Sequence, residues 1–121
     1  MERNAAGFEE AMRMMRSRDG ATQENGFHAL LPVADQHLAE LINALRTEPD
    51  PGLCAWICEL LASTRSDEAV PPITECLSDP RERVAGAAAI QLESMDTRAS
   101  RTALRAHRDA SKPAGDRGAR D

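Results

Sequence analysis

"DEAVPPITECLSDPRERVAGAAAIQLESMD", residues 67–96, places Val70, Ile73 and Leu77 at helical spacing, yet Pro71 and Pro72 fall inside the same segment. In a helix interior each proline removes a backbone donor and clashes with the carbonyl one turn back, at about 3 kcal/mol. In the first turn the missing N–H groups have no intrahelical partner to lose. The spacing therefore predicts a helix over 67–77 whose regular part starts near Pro71. "SDP" then turns the chain, and Val84, Ala88, Leu92 and Met95 mark one face of a second helix from about 80 to 95.

The same unit occurs once before. "DQHLAELINALRTEPDPGLCAWICELLAST", residues 35–64, sets Leu38, Leu41 and Leu45 over Val70, Ile73 and Leu77, an offset of 32. Leu53, Ile57, Leu61 and Thr64 then lie over Val84, Ala88, Leu92 and Met95, an offset of 31. A loop one residue shorter in the second unit reconciles the two. Tandem helix–turn–helix units of this length bury their apolar faces only against their neighbours, so the expected fold is all-α, a short right-handed α-solenoid. Working outward, Asn4 is read as the N-cap of an amphipathic helix over 4–17 that closes one end and carries Ala5, Phe8, Ala11, Met12 and Met15. Thr22 is read as the cap of a short helix with Phe27, Leu30 and Leu31, stopped by Pro32. Asp35 is read as the start of the next helix, 52–64 as the most apolar helix of the first half, and 97–110 as half a further repeat. One domain over 1–110 is expected, followed by a disordered basic tail, 111–121, with no apolar periodicity.

The second unit resembles the short HEAT-like repeats, of the kind found in phycobilisome-lyase-type proteins: an acidic start, Ala-Val-Pro, a Leu-rich first helix, Asp-Pro, then Val, paired alanines and Leu. The resemblance covers 35–96 and, as a half repeat, 97–110, giving about two and a half repeats. It implies a proline one turn into the first helix, a role Pro71 takes, with Pro72 extra. Where the family places an Arg after the first apolar residue of the second helix, this chain has Cys54 and Ala85. Stand-alone bacterial proteins of this type act as protein-binding adaptors, some as immunity proteins that neutralise a toxin. The resemblance thus implies a protein partner, such as a basic toxin. A lyase-like or other small-molecule enzyme is the alternative it leaves open.

The charge distribution agrees with a protein partner. The net charge of −5 divides into 0 over residues 1–19, −9 over 20–96 and +4 over 97–121. An acidic body argues against nucleic acid, which requires clustered Lys and Arg, and suits a basic partner. The basic C-terminal end leaves a phosphate-contacting role as a third reading, although it has no aromatic residue to stack on bases. Fourteen arginines against one lysine point to a GC-rich bacterial genome. No apolar run reaches membrane-spanning length and the first residues carry charges, so a cytoplasmic protein is expected.

Enzymatic signatures are weak. His28, His37 and His107 have no nucleophile motif around them, and Glu9/Glu10 and Asp67/Glu68 diverge around their helices or suit a helix N-terminus. Cys54, Cys58 and Cys76 lack a structural zinc spacing and read as reduced, mostly buried thiols. No catalytic residue, metal or cofactor is expected.

Two features stand above this background. Trp56 replaces a small residue, Ala87, at the matching position of the next repeat, as a core filler or as an interface anchor. "VAGAAAIQL", 84–92, is small or apolar on more than one side, so its second side is covered either by helix 97–110, the favoured reading, or by another chain. In stacked helix pairs the second helices line the concave surface. The candidate partner-binding residues are therefore Ala55, Trp56 and Glu59 in one repeat, and Gly86, Ile90 and Glu93 in the next.

Overall fold

The computed structural model describes residues 2–111, with side chains from Gly7 onward. Its α-helices are α1 (Glu2–Met15), α2 (Gly20–Leu30), α3 (Leu38–Thr47), α4 (Pro51–Ser63), α5 (Val70–Cys76), α6 (Glu82–Met95) and α7 (Arg98–Ser111). No strand occurs among the described residues. Consecutive helices pack as the pairs α1–α2, α3–α4 and α5–α6, and α7 packs on α6 and α5. α4 stacks broadly on α6, and α3 meets α5. The result is a short α-solenoid, as the periodicity predicts: two repeats, a half repeat at one end and the α1–α2 pair at the other.

The repeat positions form the core, except that Leu38 and Thr64 are only half-buried. Leu41, Leu45, Leu53, Ile57, Leu61, Val70, Ile73, Leu77, Val84, Ala88, Leu92 and Met95 are all buried. Pro71 and Pro72 lie in the first turn of α5, behind a 3-10 turn (Asp67–Ala69), so the regular helix starts where the prolines remove no intrahelical bond.

Several local expectations are corrected. α1 begins at Glu2, ahead of Asn4, whose side chain, like that of Ala5, lies outside the described ones. The cap of α2 is Asp19, not Thr22: the Asp19 carboxylate accepts from the Thr22 backbone N–H at 2.9 Å and from its hydroxyl at 2.7 Å, which holds the carboxyl below its ordinary range. α2 does end ahead of Pro32, at Leu30, but the chain goes on as a 3-10 helix, and Asp35 opens no α-helix. Pro32 sits in the first turn of a 3-10 helix (Leu31–His37) that joins α2 to α3, because proline's fixed φ suits that turn as well as an α-helical one. The 3-10 segment buries Ala34 and His37. His37 stacks on Phe8, ring centroids 5.0 Å apart, and its Nδ1 lies 3.0 Å from Glu40. α7 runs through Ser111, one residue into the segment expected as tail, and 112–121 lie outside the described residues.

Two polar connections join the layers, and neither was foreseen. Glu48, with its side chain 3% exposed, accepts from Arg16 Nη1 at 2.7 Å and from the Asp50 backbone N–H at 3.1 Å, tying the end of α1 to the first repeat. Arg81 holds the turn before α6 to the turn before α4. It pairs with Asp79 at 3.0 Å and donates from Nη1 to the Pro49 carbonyl at 2.8 Å. The Arg that the resemblance leads one to expect inside α4 or α6 is absent, and this one reaches the inter-repeat seam from one turn earlier.

Candidate partner-binding surface

Trp56 arises on the side of α4 that faces α2. Its ring meets Phe27 edge to face, with centroids 5.1 Å apart and planes at 63°, and the residue is half-buried against the core. The remainder of the ring lines a cleft of about 280 Å³ with Met15, Gln23, Asp50, Gly52, Leu53 and Arg83. Gly52 makes room there: a Cβ at this position would stand 3.3 Å from the Arg83 guanidinium carbon. Asp50 is occupied at the cleft's edge, capping α4 by accepting from the Leu53 N–H at 2.8 Å. Trp56 thus fills a seam between helices and reaches the surface as well.

Along α6 the residues divide as a stacked helix requires. Val84, Ala88, Leu92 and Met95 turn inward, Ala85 and Ala89 are half-buried, and Gly86, Ile90 and Glu93 are exposed. The expectation that α7 covers the second side of this helix holds only in part. α7 buries Ser100 and Leu104, yet Ile90 stays 62% exposed, and a Cβ built on Gly86 meets nothing within 4 Å. Ile90 on α6 occupies the register of Glu59 on α4, and both side chains are open to solvent. Ala55, one residue before Trp56, is half-buried. The candidate residues therefore fall on two stacked helices. Apolar surface is concentrated at Ile90, carboxylates stand at Glu59 and Glu93, and a guanidinium, Arg83, stands at the N-terminal end of α6.

The basic end is less available than its composition implies. Arg98, Arg101, Arg105 and Arg108 share one flank of α7, but Arg101 pairs with Asp96 at 2.8 Å and Arg108 reaches Glu93 at 3.3 Å. Arg101, Arg105 and Arg108 line, with Glu93, Asp96, Asp109 and Leu104, a cleft of about 420 Å³. Among the described residues, no group of three or more His, Cys, Asp and Glu side chains is placed to hold a metal ion, and no helix is long and apolar enough to cross a membrane.

Comparison with protein families matches the model for HEAT repeats to residues 38–120, beginning at the first residue of α3. No curated protein and no solved structure matches the chain.

Proposed function

We propose that this chain, which belongs to the HEAT-repeat family, works by binding another protein and is not an enzyme. HEAT repeats commonly serve as protein-interaction scaffolds, and the exposed sides of α4 and α6 are where this one takes its partner. The observation that carries the reading is Ile90. Its aliphatic side chain is 62% exposed beside a glycine and offers an apolar contact point on the exposed side of α6, stacked on α4. Trp56 supplies a half-buried aromatic edge on the neighbouring helix, and Glu59 adds negative charge beside the apolar positions, while Glu93 stands there with Arg108 on it. An apolar centre with a carboxylate beside it suits a partner that presents an apolar side chain among Lys and Arg. The charge of −9 over residues 20–96 would speed the encounter. In finer terms the chain is an immunity-type or regulatory adaptor that sequesters a basic protein, such as a bacterial toxin, in the cytoplasm.

The test is capture from lysate of the source cell with the wild-type chain and with Ile90→Asp/Glu59→Lys, neither of which touches the core. The wild type is expected to retain a basic protein that salt releases, and the double variant to lose it at an unchanged melting temperature. Equal capture by both refutes this surface as the site. Suppression of the captured protein's own activity by an equimolar amount of the chain separates an inhibitor from a plain scaffold.

A further inference from the structure

Four exposed residues of α6 share one stripe of the helix: Arg83, Gly86, Ile90 and Glu93, spaced three, four and three apart. From the N-terminal end the stripe runs cation, small, large apolar, anion. The repeat does not impose this order, since Gly52, Ala55, Glu59 and Ala62 hold the matching positions of α4, 31 residues earlier. The stripe is also open. Ile90 is 62% exposed, against 37% for Leu31, the other exposed large apolar side chain among the described residues. Nothing stands within 4 Å of a Cβ built on Gly86. Arg83 makes no ion pair among the described residues, and Glu93 has one exposed contact, from Arg108 at 3.3 Å.

This order is complementary to its own reverse. When two copies of α6 lie antiparallel about a two-fold axis level with Ala88, Arg83 of each faces Glu93 of the other, and Ile90 of each faces the open space at Gly86 of the other. Ala87 and Ala89, both half-buried, face one another beside the stripe, so no bulky side chain holds the two backbones apart. We propose that α6 pairs two copies of this chain through the stripe Arg83, Gly86, Ile90 and Glu93, in an isologous antiparallel contact.

Charge selects the second copy as the occupant and this stripe as the place. Each copy carries −9 over residues 20–96, so two acidic bodies repel where their carboxylates meet. The stripe carries one charge of each sign at opposite ends, and antiparallel pairing sets unlike charges together at both ends. One helix per copy is a small interface, which makes the dimer concentration-dependent. The pairing does not rest on the protein-binding reading, although both use Ile90: a partner that takes Ile90 displaces the second copy.

The test is analytical ultracentrifugation of the intact chain from ~5 to ~500 μM, the range in which contacts worth about 5–7 kcal/mol dissociate. The wild type should pass from monomer to dimer and stop there. Ile90→Asp should remain monomeric throughout. Arg83→Glu alone and Glu93→Arg alone should each weaken association about tenfold, because each sets like charges opposite one another at both ends. Mixed in equal amounts, these two variants should form a heterodimer as tight as the wild-type dimer, since every cation then has a carboxylate opposite it. All these positions are exposed, so the melting temperature should not change. A wild type that stays monomeric, assembly beyond the dimer, dimerisation retained by Ile90→Asp, or a mixture no tighter than its components overturns the proposal. The wild-type curve decides even where a variant unfolds, and because partner capture is read separately, the two readings fail separately.

Discussion

Arg81 and Asp79 form a closed pair across the turn that opens α6: the Asp79 carboxylate accepts from the Arg81 backbone N–H at 2.9 Å and from its guanidinium at 3.0 Å through both oxygens. The guanidinium continues to the Pro49 carbonyl in the preceding repeat, so a charge pair that is local in sequence also fastens the stack.

A pH dependence follows. Arg81 lowers the Asp79 carboxyl to about 2, against about 3.9 for an unperturbed Asp. A carboxylate whose folded pKa is depressed contributes stability that is fully present above its unfolded pKa and is lost as pH falls through the folded one. Thermal melts should therefore show a loss of stability between roughly pH 4 and pH 2 that is smaller in Arg81→Met, which keeps only the backbone N–H bond to Asp79. Parallel curves for the two proteins over that window would exclude the coupling.

Two glycines should respond in opposite directions to the same substitution. At Gly26 a Cβ would stand 2.6 Å from the Ala11 carbonyl oxygen and 2.9 Å from the Met14 Cβ, where α2 crosses α1. Backbone cannot yield as a flexible side chain can, so Gly26→Ala should cost about 1–3 kcal/mol or more in a denaturant titration. At Gly86 nothing lies within 4 Å, and Gly86→Ala should gain up to about 1 kcal/mol from helix propensity alone. Equal effects at the two positions would contradict the packing described for α1 and α2.

Trp56→Ala should destabilise the fold by about 2–3 kcal/mol, less than a fully buried Trp, because the residue is half-buried and loses one edge-to-face contact with Phe27. Trp56 is the chain's one tryptophan, so its fluorescence reports the α2–α4 seam directly. Phe27→Leu should red-shift that emission while the helical circular dichroism signal is retained. An unchanged spectrum would show that Phe27 does not shield the ring.

Removing residues 1–17 should lower the melting temperature by many degrees or prevent folding, since Ala11, Met12 and Met15 of α1 are buried against the rest. It would also leave the buried Glu48 carboxylate without its ion-pair partner Arg16, held only by the Asp50 N–H. A truncated chain as stable as the full one would mean that α1 is an appendage and not the end of the stack.

The helices and the repeat were legible because one strong physical signal wrote them. Apolar residues recurring every third or fourth position, in two registers about 31 residues apart, leave no other way to bury those side chains. The Pro71–Pro72 pair was equally local in effect. Where the reading failed, two local solutions competed within a few residues. Asp19 and Thr22 can both cap a helix, and the carboxylate took the role. Asp35 can open a helix or lie inside a turn, and it falls within the 3-10 segment that follows Pro32, three residues ahead of α3.

The sequence by itself determined that this chain is an all-α repeat protein, which positions face the core, and that its body is acidic, because periodicity and charge are properties of the chain alone. Only the tertiary structure decided that Trp56 both fills the α2–α4 seam and reaches the surface, that α7 leaves Ile90 open, and that Glu48 and Arg81 fasten one layer to the next. Each of these depends on the angle and offset at which one helix lies on another, and helix stacking sets those through the fit of side chains distant in sequence, which no periodicity along the chain records.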